Sequence, residues 1–329
     1  MSKTEHDAHA ELPLPCLADY VAERAPTTPE GGMLAHRLDG LDDVESERVP
    51  EGLPPIVDAH VHVFPDQVME KLWAWFEDYG WPIRYRMSAP RVVDFLLSRG
   101  VSHVVGLAYA HRPGMADALN AYMAAVAGKN PRVTGLATVL PGEEGATEIL
   151  EAGFDMGLRG VKLHAHVQCV TADDARMEDL YALSSERELP IVFHAGREPK
   201  SPAYKCDPWA LCSADRVERV LRRFPKLKLV VPHLGADELD AYRMLLGHYD
   251  NLWLDTTMAI AGYLPGGGEL PLASYRPERL IYGSDFPNLP YAWDRELRIA
   301  RDAGLDAATL EAFLGGNARA LFGIADADS

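Results

Sequence analysis

From Leu53 onward, short β-rich apolar runs alternate with amphipathic stretches of helical spacing, and no other feature of the chain constrains its fold as strongly. Eight runs read as strands: one ending at His62, then 103–108, 133–139, 158–164, 190–194, 228–233, 251–255 and 280–283. Helices are expected over 66–79, 90–98, 115–127, 143–155, 175–187, 214–224, 236–248 and 293–303. The first is the clearest, since Val68, Leu72, Trp75, Phe76 and Tyr79 keep near-helical spacing. A chain of 329 residues could hold one large barrel or two ordinary domains. The repeated βα alternation favours an α/β fold of the closed (β/α)8 TIM-barrel type over residues 53–329. A doubly wound open sheet is the alternative, but no Gly-x-Gly-x-x-Gly turn follows the first strand. Residues 1–52 lack a sustained apolar period and are rich in Glu, Asp, Pro and Gly. They read as an irregular N-terminal extension, wrapped on the surface or partly disordered, with a short helix conceivable over 16–24.

In a closed parallel barrel the reactive groups stand at the C-terminal ends of the strands, so polar residues that close apolar strands carry a functional expectation. Strand one closes on His60 and His62, strand four on Lys162 and His164, and strand five on His194. Strand six closes on His233 and strand seven on Asp255, while strand eight runs into Asp285. Two residues apart on a strand, His60 and His62 face the same way and make half of a coordination shell for a cation such as zinc. Taken singly, His194 and His233 could be satisfied core histidines, and Asp285 could cap a turn at Asn288. Taken together they point to a shared metal, because each would otherwise need its own buried partner.

A formal net charge of -17 disfavours attraction to nucleic acid or to an anionic membrane. No apolar run approaches the length of a bilayer span, and residues 1–13 are polar rather than signal-like, so a cytoplasmic protein is expected. Four scattered cysteines without a CxxC unit argue against a disulfide framework or a cysteine zinc site.

The motifs resemble the amidohydrolase superfamily, and most closely its aminocarboxymuconate-semialdehyde decarboxylase-like branch. The residues that carry the likeness are Asp58-Ala-His-Val-His62, Gly160-Val-Lys-Leu-His164, Phe193-His-Ala-Gly196, Pro232-His-Leu-Gly235, Gly283-Ser-Asp-Phe-Pro287 and the closing Gly316-Asn-Ala-Arg-Ala-Leu-Phe322. The resemblance implies that His60, His62, His194 and Asp285 bind one divalent metal, expected to be zinc, with His233 as acid and base beside a metal-bound water. Asp285 would both ligate the metal and accept a proton. Related binuclear enzymes carry a carboxylated lysine on strand four, so a second metal is conceivable if Lys162 is modified. Lys162 could instead hold a substrate carboxylate beside His164, or close a buried ion pair with Asp255 or Asp58.

Around the expected mouth, Arg84 and Arg86 with Trp81 and Tyr85, and Arg197, Lys200, Tyr204, Lys205 and Trp209, interleave cations with rings. That mixture suits a planar carboxylated small molecule, with Arg84 and Arg197 as candidate substrate contacts. Loops of this kind are also commonly solvated or used between subunits. Two reactions use the same constellation: hydrolysis of an amide, lactone or related carbonyl by zinc-activated water, and non-oxidative decarboxylation of an aromatic or unsaturated acid. Water activation is the ordinary work of such a zinc, which places hydrolysis first. A non-catalytic barrel has no use for an open metal site. A homo-oligomer is the expected assembly.

Overall fold

In the computed structural model, residues 42–198, 204–263 and 271–325 are described. The helix conceivable over 16–24 lies outside them. Eight parallel strands follow in chain order: β1 Val57–His62, β2 His103–Leu107, β3 Val133–Gly135, β4 Val161–His164, β5 Ile191–His194, β6 Leu229–Val231, β7 Leu252–Asp255 and β8 Leu280–Ile281. Continuous ladders join β1 to β3 and β4 to β8. Single bridges close the two gaps, Ala137 to Val161 and Val61 to Phe286, so the sheet returns on itself as a (β/α)8 barrel.

The expected helix over 66–79 forms between those residues, and seven more follow along the chain: Ala89–Ser98, Ala116–Lys129, Ala146–Asp155, Glu178–Glu186, Ala214–Arg223, Leu239–His248 and Arg295–Asp302; between β7 and β8 the described residues hold only the single turns Leu272–Ser274 and Pro277–Arg279. Where boundaries differ, a local competitor for the backbone explains it. β3 stops at Gly135 although the apolar run continues, because Thr138 bonds the Asn120 side chain through both its N–H and its carbonyl. The helix expected from 236 begins only at Leu239, after a turn in which His233, Leu234 and Ala236 all have positive φ.

Alternation along the strands sorts side chains into two cores. Val57, Ala59, Val105, Leu107, Leu136, Val192, Val230 and Ile281 fill the barrel interior, and Leu321 and Phe322 of the helix Asn317–Phe322 plug it from below. Val104, Leu163, Phe193, Val231 and Leu254 face outward onto the helices. Burying each large aliphatic side chain contributes roughly 1.5–3 kcal/mol. The upper interior forgoes that contribution and holds His60, Lys162 and Asp255, none more than 1 % exposed.

β1 contains a feature invisible in the sequence pattern. Its register with β2 shifts between Asp58 and Val61, so the parity that puts Val57 and Ala59 in the interior is reset. Val61 then joins the outer core, and His60 and His62 face the cavity side. The described end of the N-terminal segment straps onto the outside of the barrel. Arg298 Nη1 donates to Val44 O at 2.6 Å, Trp293 Nε1 to Ser46 O at 3.0 Å and the Val49 N–H to Arg99 O at 2.8 Å.

Candidate active site

β1 and the turn after β8 are sewn together by main-chain bonds, the Asp285 N–H to His60 O at 2.9 Å and the His62 N–H to Phe286 O at 2.8 Å. Asp58 reinforces the seam by accepting from Ser284 Oγ at 2.6 Å and from the Ser284 N–H at 3.0 Å. Burial pushes its carboxyl up to about 7. Gly283 lets the seam close, since a Cβ there would lie 2.6 Å from the Cβ of His60. Asp285 has φ +72 and its carboxylate stands beside both histidines: His62 Nε2 at 3.0 Å and His60 Nε2 at 3.4 Å from Oδ1. Its main-chain oxygen, not its side chain, receives the Asn288 N–H, so the turn-capping alternative is not what the carboxylate does.

Asp255, at the end of β7, lies 2.8 Å from His60 Nδ1. Burial alone would raise its carboxyl, yet His60, His233 and Thr257 hold it well below the usual carboxylate range. An ionised Asp255 fixes the His60 proton on Nδ1 and leaves the Nε2 lone pair toward Asp285. Asp285 is likewise held low by His62, His60 and His233 against the effect of burial. Burial, then the neighbouring Lys162, draws His60 down to about 4, so its ring is neutral near neutrality. His233 donates from Nδ1 to Thr257 O at 2.8 Å, which leaves Nε2 as its free proton-handling nitrogen. The Lys162 ammonium, fully buried, contacts His60 Nε2 at 3.3 Å rather than Asp255 or Asp58. Burial lowers it to about 8 against the pull of Asp255, Asp285 and Glu198.

His60, His62 and Asp285 therefore offer three ligand atoms within 4.8 Å of one another, a set suited to a divalent cation. His62 Nδ1 is buried without a hydrogen-bond partner, and so are His164 Nδ1 and both ring nitrogens of His166. Unpaired buried polar atoms cost ~1–3 kcal/mol each, so the cluster is chemically incomplete as protein alone. The expected fourth ligand is placed differently. His194 Nε2 lies 2.5 Å from Glu198 Oε1, and the ring stacks on His164 with centroids 4.1 Å apart. Its nitrogen groups with those of His164 and His166. His233 stands between the two trios, its ring centroid 4.6 Å from His194 and 5.8 Å from His60.

A cavity of about 490 Å³ opens above these groups. Phe64, Trp75, Phe76, Trp81, Tyr109 and Tyr204 supply rings to its wall, and Lys71, His111, Arg112 and Lys205 supply positive or titratable groups. His62, His164, His194, His233 and Asp285 all reach it. Arg84 and Arg197 are not among its lining, which corrects their expected place at the substrate. Arg84 donates to Asp43 O at 2.7 Å in the N-terminal strap. Arg197 donates to Cys212 O at 2.8 Å and lies over the Trp209 ring. His166 and Glu198 carry no signal in the sequence: one sits in the short helix Ala165–Gln168, the other in the loop after β5, and strand periodicity reaches neither. Lys200 lies outside the described residues.

A closed parallel barrel with imidazoles and a carboxylate gathered at the strand ends is the build of a metal-dependent barrel enzyme. The chain belongs to the amidohydrolase family, whose model matches residues 57–324. It is similar to the solved structure of 5-carboxyvanillate decarboxylase from Sphingomonas paucimobilis, at 18% identity and TM-score 0.59 over 82% of this chain and 99% of that one. The 5-carboxyvanillate decarboxylase from Novosphingobium aromaticivorans, complexed with manganese and 4-hydroxy-3-methoxy-5-nitrobenzoic acid, aligns at 15% identity and TM-score 0.60 over 85% and 100%. A probable 2-pyrone-4,6-dicarboxylic acid hydrolase from Acinetobacter baumannii aligns at 15% identity and TM-score 0.56 over 82% and 100%. No curated protein matches the chain. Among the described residues no helix is long and apolar enough to cross a membrane.

Proposed function

We propose that this chain is a metal-dependent, non-oxidative decarboxylase of a small aromatic or unsaturated carboxylic acid. The observation that carries the reading is the ring-walled cavity directly above His62, His233 and Asp285. A planar acid is held there between aromatic faces, while Lys71, Arg112 and Lys205 offset its negative charge against a protein of net charge -17. This reverses the order favoured by the sequence, where hydrolysis came first. Similarity of fold to two decarboxylases supports the reversal.

His60, His62 and Asp285 would hold the divalent cation. When bound, such an ion supplies positive charge that orients the acid and stabilises negative charge on its oxygens. The proton falls to this chain's own residues. His233, with its Nδ1–H donated to Thr257 O, would in its doubly protonated form deliver the Nε2 proton to the ring carbon that bears the carboxylate, and would take a replacement proton from water after the product leaves. The new carbon–hydrogen bond forms, the bond to the carboxyl carbon breaks, and carbon dioxide leaves with its former bonding pair retained by the ring. Asp255 keeps His60 in one tautomer throughout, and the cavity wall limits water at the reacting carbon.

The deciding experiment incubates the metal-loaded protein with a panel of hydroxybenzoates, lactones and amides in water labelled with oxygen-18, and repeats it in deuterium oxide. Decarboxylation releases carbon dioxide and places deuterium on the ring, with no labelled oxygen in the organic product. Oxygen-18 in a new product carboxylate, without carbon dioxide release, would restore hydrolysis.

A further inference from the structure

The turn that carries His233 is held in a conformation the chain does not favour on its own. His233, Leu234, Gly235 and Ala236 have successive φ values of +57, +53, +90 and +55, and three of the four carry a side chain. Such a run persists only where neighbouring groups over-determine it. From one side Asp255 Oδ1 accepts the His233 N–H at 3.2 Å, and Thr257 O accepts from His233 Nδ1 at 2.8 Å. From the other side the neighbours are Arg197 and Glu238. We propose that these two are positioning residues for His233: a buried clamp that joins the loop after β5 to the turn after β6 and so aims His233 Nε2 at the cavity.

The two loops meet first through their backbones. Arg197 forms a parallel bridge with Ala236, and its carbonyl accepts the Asp237 N–H at 3.1 Å. Gly196 makes the approach possible, since a Cβ there would lie 2.6 Å from Gly235 O. The side chains then close the junction. Arg197 Nε donates to Cys212 O at 2.8 Å, its guanidinium lies over the Trp209 ring at 4.7 Å, and Nε stands 3.7 Å from Glu238 Oε1. Glu238 in turn accepts the Ala214 N–H at 3.1 Å, at the start of the helix Ala214–Arg223. The clamp thus ties the His233 turn to a loop on one side and to a helix on the other.

Both side chains are nearly enclosed, Arg197 11% and Glu238 4% exposed. A charge buried to that degree is costly unless it is paired, so each holds the other in place. Without Arg197, Glu238 would face the carboxylates of Asp215 and Asp237 with only the Ala214 N–H, among the described residues, to stabilise its charge. The turn would then relax, carrying His233 Nδ1 off Thr257 O. That bond is what fixes the ring's proton on Nδ1 and leaves Nε2 free. An arginine expected from the sequence to meet the substrate therefore acts one step behind it, through His233. The kinetic consequence rests on the reading of His233 as the proton donor, whereas the placement of the ring does not.

The test labels the histidine rings of the zinc-loaded, full-length protein with nitrogen-15 and reads each tautomer at mildly alkaline pH by long-range proton–nitrogen NMR. His233 is assigned by the loss of its signals in H233Q. The wild type should show His233 protonated on Nδ1 alone. R197A and E238A, with their fold confirmed by circular dichroism, should show a mixture of both tautomers at His233, and R197K should return toward the wild-type pattern. Should either alanine variant not fold, R197Q and E238Q remove the charges at nearly constant size, and the same mixture is expected of them. On an acid that the wild type decarboxylates, kcat should fall about 10–100-fold in R197A with KM unchanged within about twofold. Unchanged His233 signals in the folded variants that lack either charge overturn the clamp. A wild type that decarboxylates no acid overturns the function proposed above, and the tautomer measurement, which needs no substrate, still decides the clamp.

Discussion

Single side chains in this barrel act through the protons that their neighbours fix in place. Asp255 touches only His60 among the proposed ligands, yet it decides which nitrogen of that ring is free. D255N should therefore weaken cation binding by about 10–100-fold, the usual loss when the carboxylate behind a ligating histidine is removed, read as the shift in a zinc or manganese titration. A second residue-scale prediction concerns pH. His103 is buried against Thr134 Oγ1 at 2.8 Å, and burial, helped by Arg319 and Arg132, lowers it to about 4. Its folded value lies below that of the unfolded chain, so the unfolded state binds more protons between roughly pH 4 and 6.5. The histidine's contribution is present above that window and lost as pH falls through it. H103Q should flatten the acid limb of stability by on the order of 2 kcal/mol, measured by urea unfolding across the window. Asp58 and Glu238, both raised to about 7, act with the opposite sign, but they are common to both proteins and cancel in the comparison.

Among the elements, β1 and the turn after β8 matter most, because three metal-ligand candidates depend on their seam. G283A would set a methyl group 2.5 Å from Thr257 Oγ1 and 2.6 Å from the Cβ of His60. The expected outcome is a loss of about 1–3 kcal/mol in urea unfolding, with weaker cation binding as the seam opens. The strands and helices themselves were largely legible in the sequence. The helix over 66–79 forms at its expected bounds because its apolar spacing is uninterrupted and Pro65 precedes it. The end of β3 and the start of the helix Leu239–His248 were not legible. Each is set by a partner far away in sequence or by a positive-φ turn, and neither leaves a periodic trace.

At the scale of the whole molecule, closure of the barrel converts six separated strand ends into one cavity floor. An ion bound only to the folded chain stabilises it by mass action, by about 4 kcal/mol at a thousandfold excess over its Kd. Chelation should accordingly lower Tm by several degrees in the wild type, and much less in a D285N variant that lacks one ligand of the trio. Differential scanning calorimetry with and without chelator makes the comparison.

The sequence by itself determined the barrel, the strand order and the polar strand ends His62, His164, His194, His233 and Asp285 that reach the cavity, because period-two alternation and polar strand ends are local properties of the chain. Only the tertiary structure decided that Arg84 and Arg197 turn away from the cavity, that His194 meets Glu198 rather than the trio at β1, and that His166 joins it. Those outcomes depend on loop paths and on which partner lies within a hydrogen bond's reach. No pattern along a linear chain encodes such distances.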